Sequence, residues 1–433
     1  MQRTFFSKRT IVLVSVLIIV ALLFLFSLQK EKGIFKTSRP NILFIVLDAA
    51  RADHFGCYGY ERNTTPFIDA AARRGALFLN HFTNATHTSG ALPKIFFSRY
   101  FSLPIFETDG WVWGIKQSSP ELIFGNFDNQ QIFLTELLSR YGYYTVIFHP
   151  HPMFNENSYL IKKFDECFYI EARGEQMPAE VMLTVTTVGT WIRQNKRYPF
   201  FIYCHIMSPH EPYHPRDEDR EFLEGFDVSA IREARKKFRL PKKESAEGFN
   251  QRELEILEGF YDSNLKHVDK WVGKLLNDLQ EFNLDDNTLV IITSDHGQNL
   301  GEHNHLAHGG LPWDSVIKVP LVMIYPPLIP DGAKVSALTE SVDIAPTILN
   351  ISKISLPWDK TMDGINLLKV IRNNKFAKDA VFTEDSIRTT HYKYFPDSLY
   401  DLQRDPKETR NIVEEEPSTV EKLEEKFQET LTI

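Results

Sequence analysis

Four residues in three short strings have the types and placement for ester chemistry: Asp48, Thr88, Asp295 and His296. Asp48 ends the apolar run Ile42-Leu43-Phe44-Ile45-Val46-Leu47, and Asp295-His296 follow Leu289-Val290-Ile291-Ile292-Thr293-Ser294. Such runs suit buried parallel strands, and open α/β sheets gather ligands just beyond the carboxyl ends of their strands. The acids should therefore share one sheet rim although roughly 250 residues separate them. Two carboxylates and an imidazole meeting there suggest a divalent ion. Mixed oxygen and nitrogen donors favour Zn²⁺ or Mn²⁺; oxygens alone would point to Ca²⁺ or Mg²⁺. Thr88 lies in Thr86-His87-Thr88-Ser89-Gly90-Ala91-Leu92-Pro93, a small-residue, Gly-containing turn, and is the candidate nucleophile, with Ser89 its rival. A free hydroxyl attacks poorly, and a cation beside it lowers its pKa.

The elements that must position these groups are also visible. Tyr144–Phe148, Phe200–Ile206 and Leu321–Tyr325 are further strand candidates, and Phe133–Tyr141 has helical periodicity. In Leu254–Leu279 the residues Leu257, Tyr261, Leu265, Val268, Val272 and Leu276 recur at three- and four-residue steps, the pattern of an amphipathic helix. Strands alternating with helices imply a mostly parallel central sheet flanked by helices, an α/β fold. The charged stretch Arg216–Gln251 reads as a solvated surface insertion, and Glu414–Ile433 as an acidic, helix-prone tail.

Pro40–Asp48, Arg51-Ala52-Asp53-His54 and Gly56-Cys57-Tyr58-Gly59-Tyr60 resemble the opening of the sulfatase family, within the alkaline phosphatase superfamily. Further motifs follow in the family's order: Ser208-Pro209-His210-Glu211-Pro212-Tyr213, Ser294-Asp295-His296-Gly297, Gly301-Glu302-His303, His308-Gly309-Gly310, Val342–Thr347 and Leu399-Tyr400-Asp401-Leu402. The likeness runs from about Pro40 to about Ile412. It implies the sulfatase-like fold with a smaller C-terminal α+β part, and a metal site of Asp48, Thr88, Asp295 and His296. It also implies substrate contacts from His210 and His308, both with catalytic roles, and from His149 and Arg51. Arg51 could equally orient Asp48. His205 and His303 are left open between packing and support of the site.

The departures from the family are chemical. Sulfatases oxidise a Cys or Ser to formylglycine, where this chain has Thr88, and the motif's Pro and Arg are Gly90 and Leu92 here. A second Asp usually follows the first, where this chain has Ala49, and His149 stands where sulfatases place a lysine. The remaining quartet is similar to the single-metal site of the phosphoethanolamine and phosphoglycerol transferases of the same superfamily. The resemblance therefore implies a metal-dependent hydrolase of phosphate or sulfate esters acting through Thr88. A transferase modifying a membrane lipid or glycan is the alternative, and an inactive scaffold the third reading.

Thr10–Leu28 is an uncharged apolar run of nineteen residues, about 28 Å as a helix and so one hydrocarbon core. It lacks the short h-region and small-x-small cleavage site of a removed signal peptide, and reads as a signal anchor. The expected organisation is 1–9 cytoplasmic, 10–28 in the bilayer, 29–39 a tether, 40–350 catalytic and 351–433 a C-terminal subdomain with its tail. Flanking lysines and arginines do not decide the orientation; the resemblance places the catalytic part outside the cytoplasm, against glycan or lipid esters. Of 433 residues, 43% are hydrophobic and 24% charged, as in a folded enzyme, and the net charge of -8 argues against a nucleic-acid partner. The three cysteines share no metal-like spacing and read as free thiols.

Overall fold

The computed structural model describes residues 39–100, 131–151, 154, 158–171, 177–213, 221–238, 245–373 and 377–431, together with a two-residue-per-strand hairpin at Trp111–Val112 and Ile115–Lys116. Thr10–Leu28 lies outside them; among the described residues no helix is long and apolar enough to cross a membrane. Asn41–Ile433 forms one compact unit.

Its centre is an eight-stranded sheet built from β1 (Asn41–Leu47), β2 (Ala76–Phe82), β3 (Tyr144–His149), β4 (Glu166–Tyr169), β5 (Phe200–Ile206), β6 (Thr288–Thr293), β7 (Leu321–Ile324) and β8 (Ala333–Glu340). The order is β8-β2-β7-β6-β1-β5-β3-β4. All neighbours run parallel except β7, which is antiparallel to both β2 and β6. The sheet is therefore mixed, a feature that apolar runs cannot announce, because strand direction depends on the connection. β1 and β5 are buried at every residue, as strands covered on both faces must be.

Successive residues of β1 feed opposite cores. Leu43, Ile45 and Leu47 pack with Val181, Val185 and Val188 of α4 (Met177–Asn195) and with Leu257, Tyr261, Leu265, Val268 and Val272 of α6 (Gln251–Glu281). The helix expected from periodicity is thus present on that face, and it opens on a capping box between Asn250 and Glu253. Ile42, Phe44 and Val46 meet α2 (Thr88–Phe97), α3 (Leu134–Arg140), α7 (Ile344–Ile351) and α8 (Leu367–Arg372). α1 (Pro66–Ala72) and α5 (Val228–Phe238), the latter within the charged stretch, pack on the first face with α4 and α6. Each fully buried aliphatic or phenyl side chain in these layers contributes ~1.5–3 kcal/mol. Two dense layers therefore hold the rim of the sheet rigidly.

The C-terminal part is a four-stranded antiparallel sheet of β9 (Ala380–Thr383), β10 (Ser386–Thr389), β11 (Tyr392–Phe395) and β12 (Ser398–Asp401), with α9 (Pro417–Leu431) packed on it. The turn between β9 and β10 carries Glu384, at a φ of 50°.

Candidate active site

Asp48 follows β1, Asp295-His296 follow β6, and β1 and β6 are paired neighbours in the sheet. Ser294 stitches the two ends together: its hydroxyl accepts from the Ala50 N–H at 2.9 Å and donates to the carbonyl of Leu47. Ala49 sits at a φ of 61°, and its carbonyl accepts from the Tyr261 hydroxyl at 3.0 Å. Left-handed backbone at a residue with a Cβ is strained and persists only where surroundings fix it. Gly297 is obligatory: a Cβ there would lie 2.2 Å from the Ser315 carbonyl oxygen.

Thr88 is not in a turn. It is the first residue of α2, because His87 is extended and serves as the N-cap, and Gly90 lies inside the first turn. A Cβ at Gly90 would stand 2.9 Å from both Ala85 and the His87 ring, so the small residue read as a turn signal is a packing requirement. The Thr88 Oγ1 lies 3.1 Å from His296 Nε2. On the other side of that ring, Nδ1 is 2.9 Å from the Gly297 carbonyl, which only accepts, so Nδ1 carries the proton and Nε2 offers a lone pair. Burial pushes this imidazole below its usual range, towards the neutral form.

That lone pair faces Asp48 Oδ1 at 3.4 Å and Asp295 Oδ2 at 3.7 Å, and both oxygens are buried without a hydrogen-bond partner among the described residues. Burial pushes the Asp48 carboxyl up, but His210 and His205 outweigh it and hold the group far below the carboxylate range. A lone pair and two carboxylate oxygens converging in a dry site repel one another unless a cation lies between them. Asp48, Asp295 and His296 are close enough to share an ion, and Thr88 adds a fourth donor. The residues present fit a divalent cation.

The other expected residues divide. His210 and His308 reach the site: the His308 ring stacks on His296 at 4.3 Å between centroids, and His210 lies 4.7 Å from His308 and 6.3 Å from His296. Burial lowers the His210 imidazole, yet Asp48 and Glu211 raise it above its ordinary value overall. Arg51 departs from the expected substrate contact. Its guanidinium is held by Asp53 at 2.8 and 3.0 Å, Glu302 at 2.6 Å and the Gln298 carbonyl at 3.0 Å, so it braces the loop after β6. His149 is fully buried at the end of β3, with Nε2 3.4 Å from Cys167 Sγ, and burial together with His205 pushes it down to about 3. His303 stacks on Trp313 at 3.7 Å and packs rather than serving the site.

Three contributors were not singled out from sequence. The Tyr203 hydroxyl lies 2.9 Å from His205 Nδ1, and His205 Nε2 in turn lies 3.0 Å from Asp48 Oδ2; a tyrosine two residues before a histidine on one strand was the available signal. Gln298 links His308, at 3.3 Å, to Glu211. Glu384, from the β9–β10 turn, accepts from the Thr86 N–H at 3.3 Å and its hydroxyl at 3.2 Å, and lies 3.4 Å from His87. Nothing local in the sequence marks that last contact.

Comparison with known proteins shows the family and the fold. The sulfatase family model matches residues 40–354, and a model described as the C-terminal part of N-sulphoglucosamine sulphohydrolase matches 301–432. The chain belongs to the sulfatase family, in the alkaline phosphatase superfamily, and is a sulfatase-like hydrolase by that membership. It is 23% identical over 463 residues to an arylsulfatase of Clostridium perfringens, covering 87% of this chain and 91% of the relative. It is 24% identical over 392 residues to N-acetylgalactosamine-6-sulfatase of Canis lupus familiaris, covering 79% and 68%. The fold matches that of a phosphonate monoester hydrolase of Agrobacterium radiobacter (TM-score 0.71, 19% identity, 91% and 96% covered). It also matches a protein solved with its substrate D-glucosamine-2-N,6-O-disulfate (TM-score 0.70, 19% identity, 91% and 98% covered).

Proposed function

We propose that this chain is a metal-dependent hydrolase of phosphate or sulfate esters on glycans or lipids, working outside the cytoplasm from the anchor at Thr10–Leu28, with Thr88 as nucleophile. The observation that carries the reading is the Thr88 hydroxyl at the first position of a ten-residue helix, 3.1 Å from the His296 lone pair and beside two orphaned carboxylate oxygens. A divalent ion held by Asp48, Asp295, His296 and Thr88 would neutralise the ester's non-bridging oxygens and make the Thr88 hydroxyl more acidic.

The chain's own groups supply the rest. The N-terminus of α2 adds partial positive charge and outward-pointing N–H groups where an anionic ester would sit. Thr88 Oγ1 forms a bond to phosphorus, its proton passing to solvent, as the bond to the leaving oxygen breaks. His210, raised by Asp48 and Glu211 against the lowering effect of burial, gives its proton to that oxygen. It then takes a proton from the water whose oxygen bonds to phosphorus as the bond to Thr88 Oγ1 breaks; Oγ1 regains a proton from solvent and the phosphate leaves. His308, held by Gln298, lies next to His210 and bears on the same oxygen.

An unoxidised Thr cannot form the aldehyde hydrate on which formylglycine chemistry depends. Phosphate esters should therefore react better than aryl sulfates, although several relatives are sulfatases by name. The same property favours one alternative: an acceptor hydroxyl replacing water in the second step would make the chain a phospho-alcohol transferase. The test is intact-mass analysis of the full chain after incubation with a phosphodiester, a phosphomonoester and an aryl sulfate. A phospho-adduct on Thr88, and Thr88→Ala that folds but loses at least about 10³-fold in turnover, are expected. Robust aryl-sulfatase activity surviving in Thr88→Ala would refute nucleophile and substrate preference together.

A further inference from the structure

Each carboxylate at the site has one oxygen already committed. Asp295 Oδ1 accepts from the His296 N–H at 3.0 Å and the Ala49 N–H at 3.4 Å, leaving only Oδ2. Asp48 Oδ2 is 3.0 Å from His205 Nε2, leaving only Oδ1. The Asp48 contact belongs to a chain of three side chains laid along one face of the sheet. Tyr203 and His205 are two residues apart on β5, hence on the same side, and Val46 pairs with His205 so that Asp48, two further on, follows on that side. All three are fully buried. Phe154 and His151 close over the His205 ring at 5.2 and 5.6 Å between centroids.

The proton order in this chain is determined by what each end can do. A carboxylate only accepts, so His205 Nε2 donates to Asp48; in the neutral ring Nδ1 then accepts from the Tyr203 hydroxyl. The Asp48 carboxylate thereby fixes the proton on Nε2, the Tyr203 hydroxyl holds the ring from its Nδ1 side, and His205 selects which oxygen of Asp48 is spoken for.

We infer that Tyr203 and His205 are positioning residues that hold Asp48 to one-oxygen coordination and so tune the site to a small ion with few ligands, Zn²⁺ or Mn²⁺, over Ca²⁺. Ca²⁺ takes six to eight oxygens and commonly uses both oxygens of a carboxylate, whereas Zn²⁺ takes about four N, O or S donors. One oxygen from Asp48, one from Asp295, Nε2 of His296 and Oγ1 of Thr88 make four. The inference rests on the proposed metal site, and its test separates the two.

Ion affinities of the full chain are measured by competition with a chromophoric chelator, using Zn²⁺ and Ca²⁺ separately, for wild type, His205→Ala, His205→Gln and Tyr203→Phe. Wild type should bind one Zn²⁺ far more tightly than Ca²⁺. His205→Ala should weaken Zn²⁺ binding ~10–100-fold, the usual effect of removing such a support, and should raise Ca²⁺ affinity relative to Zn²⁺ by freeing Oδ2. His205→Gln keeps an N–H donor near the Nε2 position and should recover most of the loss, which a packing role alone would not permit. Tyr203→Phe, which removes one hydroxyl, should lose a few-fold and serves if His205→Ala does not fold. Wild type that binds no ion removes the metal site itself. Wild type that binds Zn²⁺ while Tyr203→Phe and His205→Ala bind it equally well leaves the site standing and overturns the role of the pair. His205→Gln as weak as His205→Ala overturns it too.

Discussion

Two buried charge clusters in this chain are built on opposite principles. In the C-terminal part, Lys393 is fully buried and pairs with Asp314 at 2.6 Å and with Glu408, while Arg388 holds Asp314 at 3.1 Å and the Pro312 carbonyl accepts from Lys393 at 2.9 Å. Two acids meet two bases, and the Asp314 carboxyl, despite burial, is held below its usual range by Arg388 and Lys393. At the sheet rim, the ionisable partners of Asp48 and Asp295 among the described residues are histidines, and one oxygen of each accepts no hydrogen bond there. Where the chain supplies its own countercharge the cluster is architecture; where it withholds it, the deficit is an invitation to an ion. Glu180 shows a third solution. It is fully buried near His205, and burial pushes its carboxyl up to about 7, so a proton neutralises it.

The sharpest way to break the comparison is to delete one acid from each cluster's logic. Asp295→Ala should strip the ion, seen by elemental analysis, and reduce turnover by orders of magnitude, without destabilising the ion-free protein, because it removes an uncompensated buried charge. Lys393→Met should do the reverse: activity per folded molecule changes little, but Glu408 loses its cation and Asp314 keeps only Arg388, and denaturant melts should show a loss of ~3–5 kcal/mol. Equal stability losses in both variants would end the distinction.

Glu180 sharpens it through pH. Its folded pKa lies above the unfolded value, so the folded state binds the extra proton; this stabilisation is full below about 4.5 and is lost as pH rises towards 7. Glu180→Gln should abolish that part of the slope, at most about 3 kcal/mol across the window, in melts at pH 4.5 and 7.5. Ser89→Ala should be the smallest change, within ~0.5 kcal/mol and a few-fold in rate, since no role falls to that hydroxyl.

What the sequence made legible follows the same physics. β1, β5 and β6 were readable because strands buried on both faces are nearly all apolar, and Asp48 and Asp295 were readable because an acid ending such a run has few structural uses. β2 and β8 carry Asn80, His81 and Lys334 and give no comparable signal. The antiparallel β7 and the helix at Thr88 depend on how distant segments pack, as does the capture of Arg51 by Glu302, 251 residues away.

Residues 83–87, which lead into Thr88, are fastened to a segment made almost 300 residues later. Thr383 donates to the Thr83 carbonyl, Asn84 to the Phe382 carbonyl at 2.7 Å, and Glu384 takes the backbone and hydroxyl of Thr86. During synthesis Thr88 therefore leaves the ribosome well before the β9–β10 turn that fastens the segment leading into it.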